Sequence, residues 1–121
     1  MRKVSGFKCS IGFLVAACAM FLMADIARAA EPRRIEIHLA HGKPVNGDVI
    51  RLKQGDTVVL EWISDEALSL HLHGYDIEVT LVPNEKQSTP FEAFASGRFP
   101  LTNHGAGHGH KALMYFEVLP D

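Results

Sequence analysis

An all-β sandwich or barrel is the fold class predicted here, and three features of the sequence predict it. Apolar and polar residues alternate with a period of two over several runs, turn-forming residues recur at intervals of roughly ten, and no run is long enough for a confident helix. Ile35, Ile37 and Leu39 share one side of a first strand, with Glu36 and His38 on the other. Val58, Leu60 and Trp62 do the same in a second, where Val59 and Ile63 make the other face apolar too, as suits a strand in the middle of a sandwich. Leu68, Leu70 and Leu72 alternate with Ser69, His71 and His73 in a third. Turn signals separate the runs at Asn46-Gly47-Asp48, Gln54-Gly55-Asp56, Ser64-Asp65-Glu66, Pro83-Asn84 and Ser96-Gly97. The best helical candidate is a turn or two over Pro90 to Ala95, with Phe91 and Phe94 spaced by three. Trp62, Phe94, Phe99 and Phe116 are expected in the core with the alternating aliphatics.

Ahead of these strands, Arg2, Lys3 and Lys8 form a basic start, Ile11 to Met23 an apolar run, and Ala27-Arg28-Ala29 a small-x-small cleavage signal. That is the pattern of an export signal peptide over residues 1–29. The run is shorter than the ~20 apolar residues a bilayer span needs, and Asp25 and Arg28 follow it, so no stable membrane insertion is expected after cleavage. Val15-Ala16-Ala17-Cys18 resembles a bacterial lipobox, which would anchor the chain at Cys18. This alternative ranks second, because the apolar stretch continues past Cys18. Periplasmic location is the expectation.

Removing 29 of the 121 residues leaves 92, enough for one small domain over residues 30–121. The removed segment takes four of the twelve Lys and Arg residues and one of the fourteen Asp and Glu, leaving eight against thirteen and a net charge of −5. A nucleic-acid partner is thereby excluded. The only cysteines, Cys9 and Cys18, leave with it, so the mature domain has neither a disulfide nor a thiolate ligand. No Ser or Cys nucleophile with an evident base, no phosphate-binding glycine loop and no HExxH motif is present. Glu61, Glu78 and Glu117 fall on separate strands and read as solvated faces. Catalysis is not expected.

Histidine carries the chemistry. His104, His108, His110 and Met114 crowd between two strand-like runs, with Gly105, Gly107 and Gly109 to let the backbone turn the donors inward. Imidazole and thioether are borderline-to-soft donors that suit copper, with zinc or nickel also accepted by imidazole. A solvated His/Gly tract is the plain alternative. His71 and His73 lie on one face about 7 Å apart along their strand. They read either as a ligand pair or as surface histidines, one of which hydrogen-bonds a turn carboxylate such as Asp76. His38 and His41 read as ordinary surface residues.

The phrases LKQGDTVVLEWISDE, LHLHGYDIEV, FEAFASGRFPLTNH and GHKALMYFEVLP resemble the cupredoxins, small Greek-key β-sandwich copper proteins, over residues 35–119. The resemblance is to exported members with a His-x-His-Gly-Tyr-Asp signature. Carried across by position, the family's first His ligand falls on His71, with His73 extra; the Cys falls on Asn103, the second His on His110 and the axial Met on Met114. The thiolate is missing, so the trigonal blue-copper site is not implied, and His104 stands beside the vacant position. The resemblance implies metal through His71, His73, His104, His110 and Met114, either as an ordinary tetragonal Cu(II) site or as a Cu(I) site using the thioether. The competing reading of Met114 is a core residue between Leu113 and Tyr115; Tyr75 and Asp76 either support a ligand imidazole or cap a turn. The function expected is periplasmic copper handling and homeostasis, with hand-over to a periplasmic or membrane protein. The alternatives are a metal-free interaction module and electron transfer through a non-thiolate copper.

Overall fold

A computed structural model describes residues 30–105 and 111–121. Nine strands run β1 (Arg33–Ala40), β2 (Lys43–Pro44), β3 (Val49–Lys53), β4 (Thr57–Ser64), β5 (Leu68–Leu72), β6 (Ile77–Leu81), β7 (Gln87–Glu92), β8 (Gly97–Asn103) and β9 (Ala112–Leu119). They form two sheets, ordered β2-β1-β4-β7 and β3-β9-β8-β5-β6. Pairing is antiparallel except for β1 with β4 and β3 with β9, which are parallel, so each sheet ties an early strand to a later one. The chain crosses between sheets repeatedly, as Greek-key connections do. Among the described residues there is no helix, and so none long and apolar enough to cross a membrane.

The alternation read from the sequence becomes one shared core. Ile37, Leu39, Val58, Leu60, Trp62 and Phe91 of the first sheet pack in one cluster with Leu52, Leu70, Leu72, Leu101, Phe116 and Val118 of the second. Trp62 is 2 % exposed and donates its indole N–H to Thr89 Oγ1 at 3.2 Å, which satisfies its one polar atom.

Three expectations are corrected. Pro90 to Ala95 forms no helical turn: Pro90 lies in β7, opposite Val59, at the sheet edge where a residue without an N–H is tolerated. Consequently Phe91 is buried while Phe94, expected in the core, is 60 % exposed, with its ring centroid 4.6 Å from that of Tyr75. Glu61 does not lie on a solvated face. It is buried in the middle of its sheet, accepts a hydrogen bond from Arg34 Nη1 at 2.6 Å and another from Lys86 Nζ at 3.3 Å, and these two cations hold its carboxyl below the usual carboxylate range.

Between β5 and β6 the backbone reverses through Gly74 and Asp76, at φ +89° and +54°. A Cβ at Gly74 would stand 2.8 Å from Phe99 Cε1, and that ring is held edge-on by Tyr75, 4.7 Å between centroids. Gly74→Ala therefore combines left-handed backbone strain with overpacking. It is expected to destabilise by about 2–3 kcal/mol, read as a lower urea midpoint at unchanged slope.

Glu61 gives a second prediction. A carboxyl whose folded pKa is depressed adds stability above its unfolded value and loses it as pH falls through the folded one. Stability should therefore decline below about pH 4.3, and Glu61→Gln should flatten that decline in chemical denaturation measured from pH 6 to 2.5.

Candidate metal centre

β5 places its leucines inward, with Leu68, Leu70 and Leu72 buried, and so turns Ser69 and His71 to the outer face of the five-stranded sheet. His73 follows on the same side; its N–H donates to Pro100 O at 3.0 Å, extending the pairing of β5 with β8 by one step. β8 runs antiparallel beside β5 with Leu70 opposite Asn103, His71 opposite Thr102 and Leu72 opposite Leu101. Thr102 and His104 thus share the outer face with His71.

Three further bonds fix the end of β8. His104 N–H donates to Ser69 O at 2.8 Å, and Asn103 Oδ1 accepts from Ser69 N at 3.4 Å and Gly105 N at 3.0 Å. Asn103, at the position the resemblance assigns to a thiolate, is therefore a tether for the turn that carries His104.

The outcome is a cluster of three imidazoles from two segments far apart in sequence, His71 and His73 on one and His104 on the other. Ring centroids lie 4.3 Å apart for His71 and His73, 5.1 Å for His71 and His104, and 6.0 Å for His73 and His104. One nitrogen from each lies within 4.8 Å of the others. An ion bonded at about 2.0–2.1 Å needs nitrogen separations no greater than about 4.2 Å, so small side-chain rotations close the set. His71 and His73 are half-buried and His104 is exposed, which leaves an open side.

Polar partners orient two of the rings. His73 Nε2 lies 2.9 Å from the buried Thr102 Oγ1, and His71 Nε2 lies 3.4 Å from Asp76 Oδ1. When those nitrogens carry the proton, the Nδ1 lone pairs are left for an ion. Thr102 is a residue that the sequence reading missed, and only the strand register, which sets it across from His71, reveals it.

Met114 is not part of this cluster. It pairs with Leu101, which pairs with Leu72, all three buried, so its thioether lies on the inner face in the core while the imidazoles lie on the outer face of the same sheet. Tyr75 also turns inward: its hydroxyl donates to Ala95 O at 2.6 Å and accepts from Ala95 N–H. His108 and His110 lie outside the described residues. His38 and His41 stand apart, near Glu36 and Asp65 respectively. An open cleft of about 660 Å³ between Lys43, Glu66, Leu68, Asn103 and Leu113 includes none of the three histidines, and its mixed charges bring no donors together. Among the described residues, His71, His73 and His104 form the one group of metal-binding side chains that converges.

No protein family model and no curated protein matches the sequence. Solved structures do match. One described as an NMR solution structure of a copper binding protein in the apo form is 12 % identical with a TM-score of 0.58, over 70 % of this chain and 85 % of that one. A blue copper oxidase from Nitrosomonas europaea is 17 % identical at TM-score 0.58, over 75 % of this chain and 40 % of that one. A multi-copper oxidase from Pseudomonas thermotolerans is 18 % identical at 0.57, over 74 % of this chain and 30 % of that one. The chain therefore spans less than half the length of those oxidases. At these identities the likeness concerns the backbone, and with the two-sheet topology it establishes that this chain has a cupredoxin-like fold.

Proposed function

We propose that this protein is an exported, periplasmic copper-binding protein that takes up one copper ion through His71, His73 and His104 for copper handling, without catalysing a reaction. The observation that carries the proposal is the convergence of three imidazoles, from β5 and from the end of β8, on one outer face. Support for copper comes from the matching structures described as copper-binding protein and copper oxidases. Periplasmic location rests on the signal-like residues 1–29 and His110 joins the site on sequence grounds alone.

The donor set fits the ion. Three neutral imidazoles suit Cu(II) or Zn(II), and the exposure of His104 leaves room for water or a partner's donor. The chemistry that such an ion supplies is ligand exchange. His71 sits on β5 and His73 just past its end, tied to β8 by its N–H, so both hold position; Thr102 and Asp76 stand beside their rings, and His104, beyond the end of β8, is the ligand best placed to let go during transfer. A trigonal thiolate centre does not fit, since the chain's cysteines are Cys9 and Cys18.

Titration of the untagged protein with Cu(II) and Zn(II) tests this reading. One equivalent of Cu(II) should bind, with a weak d–d spectrum and no intense band near ~600 nm, because no thiolate-to-copper charge transfer is available. The double variant His71→Ala/His104→Ala should lose that equivalent and keep its thermal midpoint within a few degrees, since both side chains lie outside the core. Retention of tight one-to-one binding by the double variant would remove the basis of the proposal, and failure of the wild type to bind would leave the metal-free interaction module.

A further inference from the structure

Apart from the histidines, we infer that Arg33, Arg51 and Lys53 form a binding site for a phosphate group at the seam between the two sheets. The three side chains line an open cleft of about 390 Å³ together with Leu52, Asp56 and Leu119. Residues 30–121 carry eight Lys and Arg against thirteen Asp and Glu, yet this cleft gathers three cations and one carboxylate. Like charges held close repel one another, so keeping a surface solvated gives no reason for cations to collect in one hollow of an acidic domain. An anionic ligand does.

The two sheets bring these cations together from opposite sides of the seam. β1 carries its inward row at Ile35, Ile37 and Leu39, and Arg33 continues that row past the end of the core. β3 is the edge strand of the other sheet, and its buried Leu52 turns Arg51 and Lys53 outward on either side. The turn that follows is closed twice, by Lys53 N–H to Asp56 Oδ2 at 2.9 Å and by Asp56 N–H to Lys53 O at 3.0 Å. The one carboxylate in the cleft is thereby engaged with the backbone. Arg51 lies 3.8 Å from Glu117, with its own side chain 69 % exposed, and surface pairs of this kind contribute little. Among the described residues, neither the Arg33 guanidinium nor the Lys53 ammonium has a carboxylate at ion-pair distance.

Two guanidinium forks and an ammonium match a tetrahedral oxyanion, whose oxygens accept from several directions at once; a carboxylate is satisfied by a single fork. Leu119, 43 % exposed, and Leu52 give the carbon part of an ester an apolar wall beside the cations. A free phosphate or phosphomonoester and the phosphodiester headgroup of a lipid offer this same chemistry.

NMR titrations of the full chain with inorganic phosphate and with glycerophosphoglycerol, a soluble phosphodiester headgroup, test the inference at an ionic strength held constant with chloride. Binding should shift the backbone amide signals of Leu52 to Asp56 and of Leu119 along one saturable curve. The double variant Arg33→Gln/Arg51→Gln should weaken that binding by about tenfold or more, because hydrogen bonds to charged groups are lost. Both side chains are exposed, so the fold should be kept, as the unshifted signals of core residues will show. Lys43→Gln removes a cation outside the cleft and should leave the binding unchanged. Preference for inorganic phosphate assigns the site to a free phosphate or monoester, and preference for the diester assigns it to a lipid headgroup; either supports the site. Shifts that chloride reproduces, that fail to saturate, or that persist unchanged in the double variant overturn it.

Discussion

The short antiparallel ladder between β5 and β8 does two things that cannot be separated: it closes one side of the core through Leu70, Leu72 and Leu101, and it sets His71 beside Thr102 and His104 on the other side. Because side chains alternate across a strand, each residue committed to the core commits its neighbour to the outer face. A one-residue slip would send Leu70 and Leu72 into water and His71 into the core. Burying each such leucine is worth about 1.5–3 kcal/mol, so the register that builds the imidazole cluster is enforced by hydrophobic burial alone. The bonds from His104 N–H to Ser69 O and from Ser69 N–H to Asn103 Oδ1 extend the lock beyond the last ladder pair.

Much of this was legible in the sequence. The alternation of Leu68 to His73 placed both imidazoles on one face, and the core position of Trp62 followed from its neighbours Val58 and Leu60. What was not legible concerned relations between strands. Met114 looked like a ligand because it follows the histidine-rich loop at a familiar spacing, yet the regular register of β8 with β9 sets it opposite the inward Leu101, and a shift just beyond that pair brings Ala112 opposite the outward Thr102. Counting along one strand cannot reveal an extra residue whose effect appears only against its partner. Thr102 was invisible for the same reason. Phe94 was misplaced because a spacing of three suggested a helix, whereas Pro90 and the edge position of β7 favoured an extended chain.

The site lies outside the sandwich, not between its sheets. A centre buried between two sheets is rigid and shielded; here His71 on β5 and His73 just past it are half-buried, while His104 sits past the end of β8 and is exposed. Metal affinity and fold stability are thereby largely decoupled, since the core cluster contains none of the three histidines. An ion held through these histidines would exchange without loosening the packing.

The two parallel pairings bear on how the molecule is made. β3 finds its partner only in β9, at the far end of the chain, with Val49 against Tyr115 and Lys53 against Leu119. Contacts so distant in sequence raise contact order, and domains dominated by such contacts fold in milliseconds to seconds, far slower than helical ones. Until Ala112 to Leu119 has left the ribosome and docked, β3 has no neighbour on that side and the second sheet has an open flank. The edge strand β3 can thus join its sheet only once β9, made well after it, is in place, which delays closure of that side of the core.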